Sequence, residues 1–214
     1  MLKQDSDINT NQSACHDISD EDVVMSGIEV LQTTYGRLTE ACIRDLSQCI
    51  KVARYGKSEV IIPMGAIADE LFFLREGSAR AYYLKDGREI TDWFAFEHDF
   101  ICAINSFYSQ NPSPHYIVSI EPLVAGVIHA PDMQMLCKRY HDFEHLCRNI
   151  TTDTMLRLQQ RIVALQFESA QQKYENLLLK YPEITNRVAV SHIASYLGIT
   201  NETLSRIRHN KASN

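Results

Sequence analysis

Residues 191–208 read SHIASYLGITNETLSRIR. Ile193 and Leu197 recur at i and i+4 with Ala194 beside them, and Leu204 and Ile207 sit three apart, so two short helices each bury one face. Gly198 separates them. A glycine there can take the left-handed conformation that reverses the chain, with Ile199 tucked under the turn. Thr200 is placed to cap the second helix, and Glu202 suits its first turn. Helix, short turn with glycine, helix is the helix-turn-helix pattern. A plain core hairpin would use the same apolar residues. The difference lies on the exposed face of the second helix, which carries Asn201, Glu202, Thr203, Ser205, Arg206 and His209 instead of the Lys/Glu pairs of a solvated helix. Arg pairs bidentately with guanine, Asn with adenine, and Glu accepts from cytosine.

At 214 residues and 45% hydrophobic, the chain can bury one sizeable core and carry a small second domain. Its formal net charge of -6 is unusual for a nucleic-acid binder, but the charge is unevenly placed. Residues 169–214 hold six Lys/Arg against three Asp/Glu, whereas residues 1–168 hold 15 against 24. A basic end on an acidic body fits a DNA-facing module carried by a domain with another task.

The six cysteines, at positions 15, 42, 49, 102, 137 and 147, form no CxxC pair, and the first 25 residues are polar with no apolar signal core. A cytoplasmic protein with reduced thiols is expected. No apolar run approaches the roughly 18 residues that span a bilayer. Residues 1–20 read as a mobile leader.

From residue 21 to 54 the pattern is helical, with Leu38, Ile43, Leu46 and Ile50 among charged residues. The texture then changes to short runs of Val, Ile, Phe, Tyr and Trp, punctuated by Gly56, Gly65, Gly77 and Gly87 at intervals of 9, 12 and 10 residues. Strands with turns at that spacing form an antiparallel sandwich or barrel. Asp86-Gly87 is a two-residue hairpin signal, and strand texture resumes over residues 115–130. After Pro131 the chain turns helical to residue 168, with a break expected at residues 140–142. From Phe143 to Phe167 the apolar residues point almost all round the helix. Such a helix must be covered on every side, and a second copy of the chain is the economical partner. Ile150, Leu158, Ile162 and Leu165 are the expected seam, flanked by Arg157 and Arg161; burial wholly within one chain is the alternative.

The order of roll, long helix and helix-turn-helix resembles the Crp/Fnr family of bacterial transcription regulators. GSARAYYLKDGREITDWFAFEHDFI and IASYLGITNETLSRIR carry the likeness, which runs from about residue 30 to 211. The second is the more specific: the family's recognition helix commonly continues Glu-Thr-Leu/Val-x-Arg, matched by Glu202, Thr203, Leu204 and Arg206. The resemblance implies an α+β chain. An antiparallel β jelly roll (a double-stranded β-helix) with flanking helices would occupy residues 21–142. A dimerisation helix would follow over 143–168, then a winged-helix-like helix-turn-helix domain over 169–214. It implies a homodimer on a pseudo-palindromic double-stranded operator, with RNA polymerase as a further partner. Asn201, Glu202, Thr203, Ser205 and Arg206 would read bases, and Thr200, Arg187, Arg208 and Lys211 would hold phosphates. Asn201 stands where many members have Arg, so the base preference should differ. The chain ends at Asn214, which leaves little sequence for the wing of many relatives.

The sensor departs from the pattern. Members that bind cyclic nucleotides carry a Gly-Glu pair for the ribose and an Arg-Ser pair for the cyclic phosphate. Those places hold Cys102-Ala103 and Ser113-Pro114 here, so both charges are gone. A desolvated phosphate needs a guanidinium or a nest of donors, and no response to cyclic AMP or cyclic GMP is expected. The effector, if there is one, stays unnamed, and no cofactor is expected. Arg80, Arg88 and His115 are the groups that could in principle compensate.

Cys15, Cys42 and Cys49 are not clustered as an iron–sulfur site requires. Cys137, His141 and His145 recur at i, i+4 and i+8 with Cys147 beyond, but the expected helix break would ruin their alignment, so no metal is expected. The competing class is a metal-dependent enzyme on the roll, for which His98, Asp99, His115 and His129 are the candidates. On a strand, His98 and Asp99 would point to opposite faces.

Overall fold

The computed structural model describes residues 18–212, with side chains through residue 210. Most of the expected leader, with Cys15, lies outside the described residues. Two helices come first, α1 (Asp20–Tyr35) and α2 (Glu40–Cys49). Ser19 and Thr39 cap them, each accepting from the backbone N–H three residues on. Eight strands follow: β1 (Lys51–Tyr55), β2 (Val60–Ile62), β3 (Glu70–Glu76), β4 (Ala79–Lys85), β5 (Arg88–Ala95), β6 (Phe100–Cys102), β7 (Tyr116–Ser119) and β8 (Leu123–His129). A short helix, α3 (Ile104–Ser109), interrupts them.

The strands form two four-stranded antiparallel sheets, ordered β1-β8-β3-β6 and β2-β7-β4-β5. Phe72, Leu74, Ala81, Ile101, Ile117 and Leu123 fill the space between them. Asp86 and Gly87 both take positive φ, at 52° and 72°, and close the β4–β5 hairpin. Gly77 is required more strictly: its φ is +82°, and a Cβ there would lie 2.2 Å from the Pro122 carbonyl. The helical reading of residues 21–54 is corrected at its end, because Lys51 to Tyr55 pair in register with β8. A free ladder edge on β8 decides their conformation, a partner that no local pattern reveals.

Helices α1 and α2 pack with α4 (Ala130–Arg139) and the start of α5 (His141–Phe167) around Ile28, Leu46, Leu136 and Leu146. The break between α4 and α5 falls at Tyr140, where φ is -127° and ψ 111°. After α5 come α6 (Ala170–Lys180), α7 (Ile184–Arg187), α8 (Val190–Leu197) and α9 (Asn201–Ala212). Ser169 and Gln172 make a reciprocal capping box that starts α6. Among the described residues this C-terminal unit holds four helices and no strand. It shares a core with the roll, in which Phe94 and Phe96 meet Tyr174, Leu177, Ile184, Ile193, Leu197 and Leu204.

Candidate nucleic-acid interface

Gly198 ends α8 with φ 67° and ψ 35°, and its N–H, with that of Ile199, returns to the last carbonyls of α8. Thr200 Oγ1 accepts from the Thr203 N–H at 3.2 Å and caps α9. The two hydroxyls also bond each other at 3.2 Å, which ties Thr203 to the cap. Leu204 is fully buried and Ile207 half-buried, so α9 is anchored by one face. Asn201, Glu202, Ser205, Arg206, Arg208 and His209 are exposed on the rest. The Glu202 carboxyl is held below its ordinary range by its own backbone N–H and by the Thr200 hydroxyl, so it stands ionised as an acceptor. Lys211 lies within α9, its side chain outside the described residues.

Arg187 is in a different place from the one expected. Its guanidinium bonds both Glu97 oxygens, at 2.6 and 2.8 Å, and also reaches Glu121. It therefore joins the C-terminal unit to the roll and is removed from the set of phosphate contacts. Around it, Ser195 Oγ accepts from the Thr91 N–H at 2.9 Å and donates to the Glu89 carbonyl at 3.1 Å. Tyr181 donates to Asp99 at 3.2 Å. These groups were legible only as polar residues, since their partners lie about 80 to 100 residues away in sequence.

Between the roll and α5 lies a cavity of about 780 Å³, lined by Ala81, Trp93, Cys102, His115, Leu158 and Ile162 among others. Ala103 is fully buried at the start of α3, and half-buried Cys102 has its thiol pKa pushed up to about 12 by desolvation. Ser113 donates to the His115 carbonyl at 2.8 Å, and its backbone pairs with Gly65 and Ala66. Neither its hydroxyl nor the Pro114 ring can neutralise an anion. Of the compensating groups, Arg80 lies away from this cavity, bonded to Glu89 and Thr91, and Arg88 is exposed at the hairpin. His115 does face the cavity, 5% exposed, with both ring nitrogens unpartnered. Burial lowers its pKa, more than Asp92 raises it, so it favours the neutral ring. The guanidinium on the wall, Arg157, is held by Asp153 at 2.8 Å and lies 3.7 Å from Asp99. With Asp92 the wall carries three carboxylates against that one cation, which repels a phosphate.

Along α5 only Phe143 and Leu146 are buried. Met155, Leu156, Ile162, Val163, Leu165 and Phe167 are exposed, Phe167 at 79%. Of the expected seam residues, Ile150 packs in the helical cluster, Leu158 and Ile162 both line the cavity, the first half-buried and the second exposed, and Leu165 is exposed.

The break at Tyr140 separates Cys137 from His141 and His145, and Cys137 instead contacts the Cys147 thiol. His98 is in a turn with φ 69°, not on a strand as assumed. Among the described residues, Asp69, Glu70 and His129 bring metal-ligand atoms within 4.8 Å of one another. Asp69 and His129 already pair at 3.2 Å. Glu70 and His129 are cross-strand partners, a proximity that sequence spacing does not contain.

Residues 52–140 match the family model of the cyclic nucleotide-binding domain. A curated relative, the transcriptional activatory protein AadR of Rhodopseudomonas palustris, is 28% identical over 182 residues, 80% of this chain and 75% of that protein. Among solved structures, FixK2 from Bradyrhizobium japonicum superposes with a TM-score of 0.67 at 17% identity, covering 77% of this chain and 85% of that one. A CooA mutant from Carboxydothermus hydrogenoformans gives 0.62 at 15%, covering 86% and 84%.

Proposed function

We infer that this chain, a transcription regulator of the Crp/Fnr type, binds a pseudo-palindromic DNA operator as a homodimer and does so without cyclic AMP. The observation that carries the reading is the placement of α9: one face is pinned by Leu204, and Asn201, Glu202, Ser205 and Arg206 are exposed on the other. Asn201, Glu202 and Arg206 have the donors and acceptors that read adenine, cytosine and guanine, with Ser205 serving either. Arg208, and Lys211 one turn on, would hold the phosphates.

The exposed apolar residues of α5 support the dimer. Two copies joined along α5 would set their α9 helices one duplex turn apart, roughly 34 Å. No helix among the described residues is long and apolar enough to cross a membrane, and we place the protein in the cytoplasm with its DNA. RNA polymerase as a partner rests on the family resemblance alone.

The test is fluorescence anisotropy on a random duplex over a range of salt. Affinity should fall linearly on a log–log plot, with a slope reduced by about one in Arg208→Ala. Affinity independent of salt would remove α9 as a DNA-facing element.

A further inference from the structure

A second cavity, an open cleft of about 600 Å³, lies between α5 and α6, with Trp93 of the roll and Tyr196 of α8 also on its wall. Its charge is opposite to that of the sensor cavity. Arg157, Arg161, Lys173 and Lys180 line it, against Asp153 and Glu168. Both carboxylates are already engaged, Asp153 by Arg157 at 2.8 Å and Glu168 by the Asn176 amide at 3.0 Å. Among the described residues, Arg161, Lys173 and Lys180 have no carboxylate within ion-pair distance. Arg161 bonds the Tyr196 carbonyl at 3.2 Å and lies 3.9 Å over the Tyr196 ring. Lys180 is 4.7 Å from the Tyr181 ring and 5.5 Å from Trp93. Ring faces orient these cations but carry no net charge, so the positive excess stays uncompensated in a chain of net charge -6. Burial lowers the Lys180 pKa, while of the surrounding charges Asp99 and Asp153 raise it by more than Arg157 and Arg161 lower it.

We propose that this cleft binds a small phosphate-bearing anion, held by Arg161, Lys173 and Lys180, that ties α5 to the DNA-facing unit. The volume is that of a small-ligand site. Arg157 and Arg161 lie about 130° round α5 from the exposed Leu156 and Val163, while Leu165 of the expected seam itself lines the cleft, so a partner helix there would border it. Lys173 and Lys180 come from α6 and Arg161 from α5, so the seated anion bridges the junction at Glu168 where the two helices part. A phosphate group offers more acceptor oxygens, and more negative charge, to the cations lining the cleft than a single carboxylate does.

The experiment uses the full chain without DNA, so its outcome is independent of operator binding. Inorganic pyrophosphate and ADP are titrated in turn, and the melting temperature is followed with calorimetric affinity alongside. Wild type should show a saturable rise with pyrophosphate. Arg161→Gln with Lys180→Gln should weaken binding at least about tenfold, while Arg206→Ala with Arg208→Ala leaves it unchanged. Tighter binding of ADP than of pyrophosphate would assign a nucleotide, and equal binding the phosphates alone. Lys173→Gln, at a half-exposed position, supplies an independent variant if the double one melts too low to compare. The proposal is overturned by no saturable response to either probe at millimolar concentration. It is equally overturned by equal binding in wild type, the cleft double variant and Lys173→Gln, or by loss in the α9 variant.

Discussion

Arg187 on α7 and Glu97 on the roll face each other across 2.6 Å, two nitrogens on two oxygens, with Glu121 completing the cluster. The two residues are 90 positions apart, and their contact seats the helix-turn-helix unit against the second sheet. An arginine on a DNA-facing unit would ordinarily be assigned to phosphate. Here two carboxylates on a neighbouring surface have it instead.

Arg187→Met should lower stability by about 1 to 2 kcal/mol, because the pair is partly solvated and both carboxylates are left facing each other. Burial raises the Glu97 pKa, but the Arg187 hydrogen bonds outweigh it and the net shift is downward from 4.5. A depressed carboxyl contributes stability above its unfolded value and loses it as pH falls through the folded one. Wild-type melting temperature should therefore fall more steeply below pH 4.5 than that of Arg187→Met. Parallel curves would show that the pair adds nothing to folding.

Arg206→Ala should lose discrimination between operator and random duplex, by about 1 to 3 kcal/mol, with melting unchanged since the side chain is exposed. Arg208→Ala should weaken both duplexes alike. Equal losses for Arg206→Ala on both would remove it as a base reader.

How much of this was legible in the sequence divides by the range of the interaction. Gly198, Thr200 and Leu204 act on neighbours within a few residues, and the structure has them at the turn, the cap and the core as their spacing implies. The Asp86-Gly87 hairpin was legible for the same reason. Strand β1 was read as helix because β8, its ladder partner, is remote in sequence. Arg187 reads as a phosphate contact because Glu97 and Glu121, which hold it, approach only after folding. Leu158 and Ile162 read as seam residues, and only the roll beside them makes them a cavity wall as well.

Ile162→Asp should convert dimers to monomers. Ile162 is 55% exposed in the single chain, so the charge is tolerated there but is desolvated against a partner helix, at several kcal/mol. Sedimentation at micromolar concentration reads this directly, and a monomeric wild type would refute the seam on α5.

Cyclic AMP should neither raise the melting temperature nor tighten DNA binding. A ligand at a hundredfold excess over its Kd adds about 2.7 kcal/mol, an easily visible shift. The expectation rests on Ala103, Ser113 and Pro114 at the altered places and on three carboxylates in the cavity wall. A reproducible rise with tighter operator binding would mean that Arg157 leaves Asp153 to take the cyclic phosphate.

The most direct test of the account is selection of bound duplexes from a random DNA pool by the full chain, with Arg206→Ala in parallel. The predicted result is an enriched pseudo-palindrome whose half-site centres lie about 10 to 10.5 base pairs apart, or a multiple of that spacing. In the Arg206→Ala selection, enrichment should be lost at one position of each half-site. Failure to enrich any sequence, or an enriched site with no two-fold symmetry, would contradict a dimeric reader built on α9.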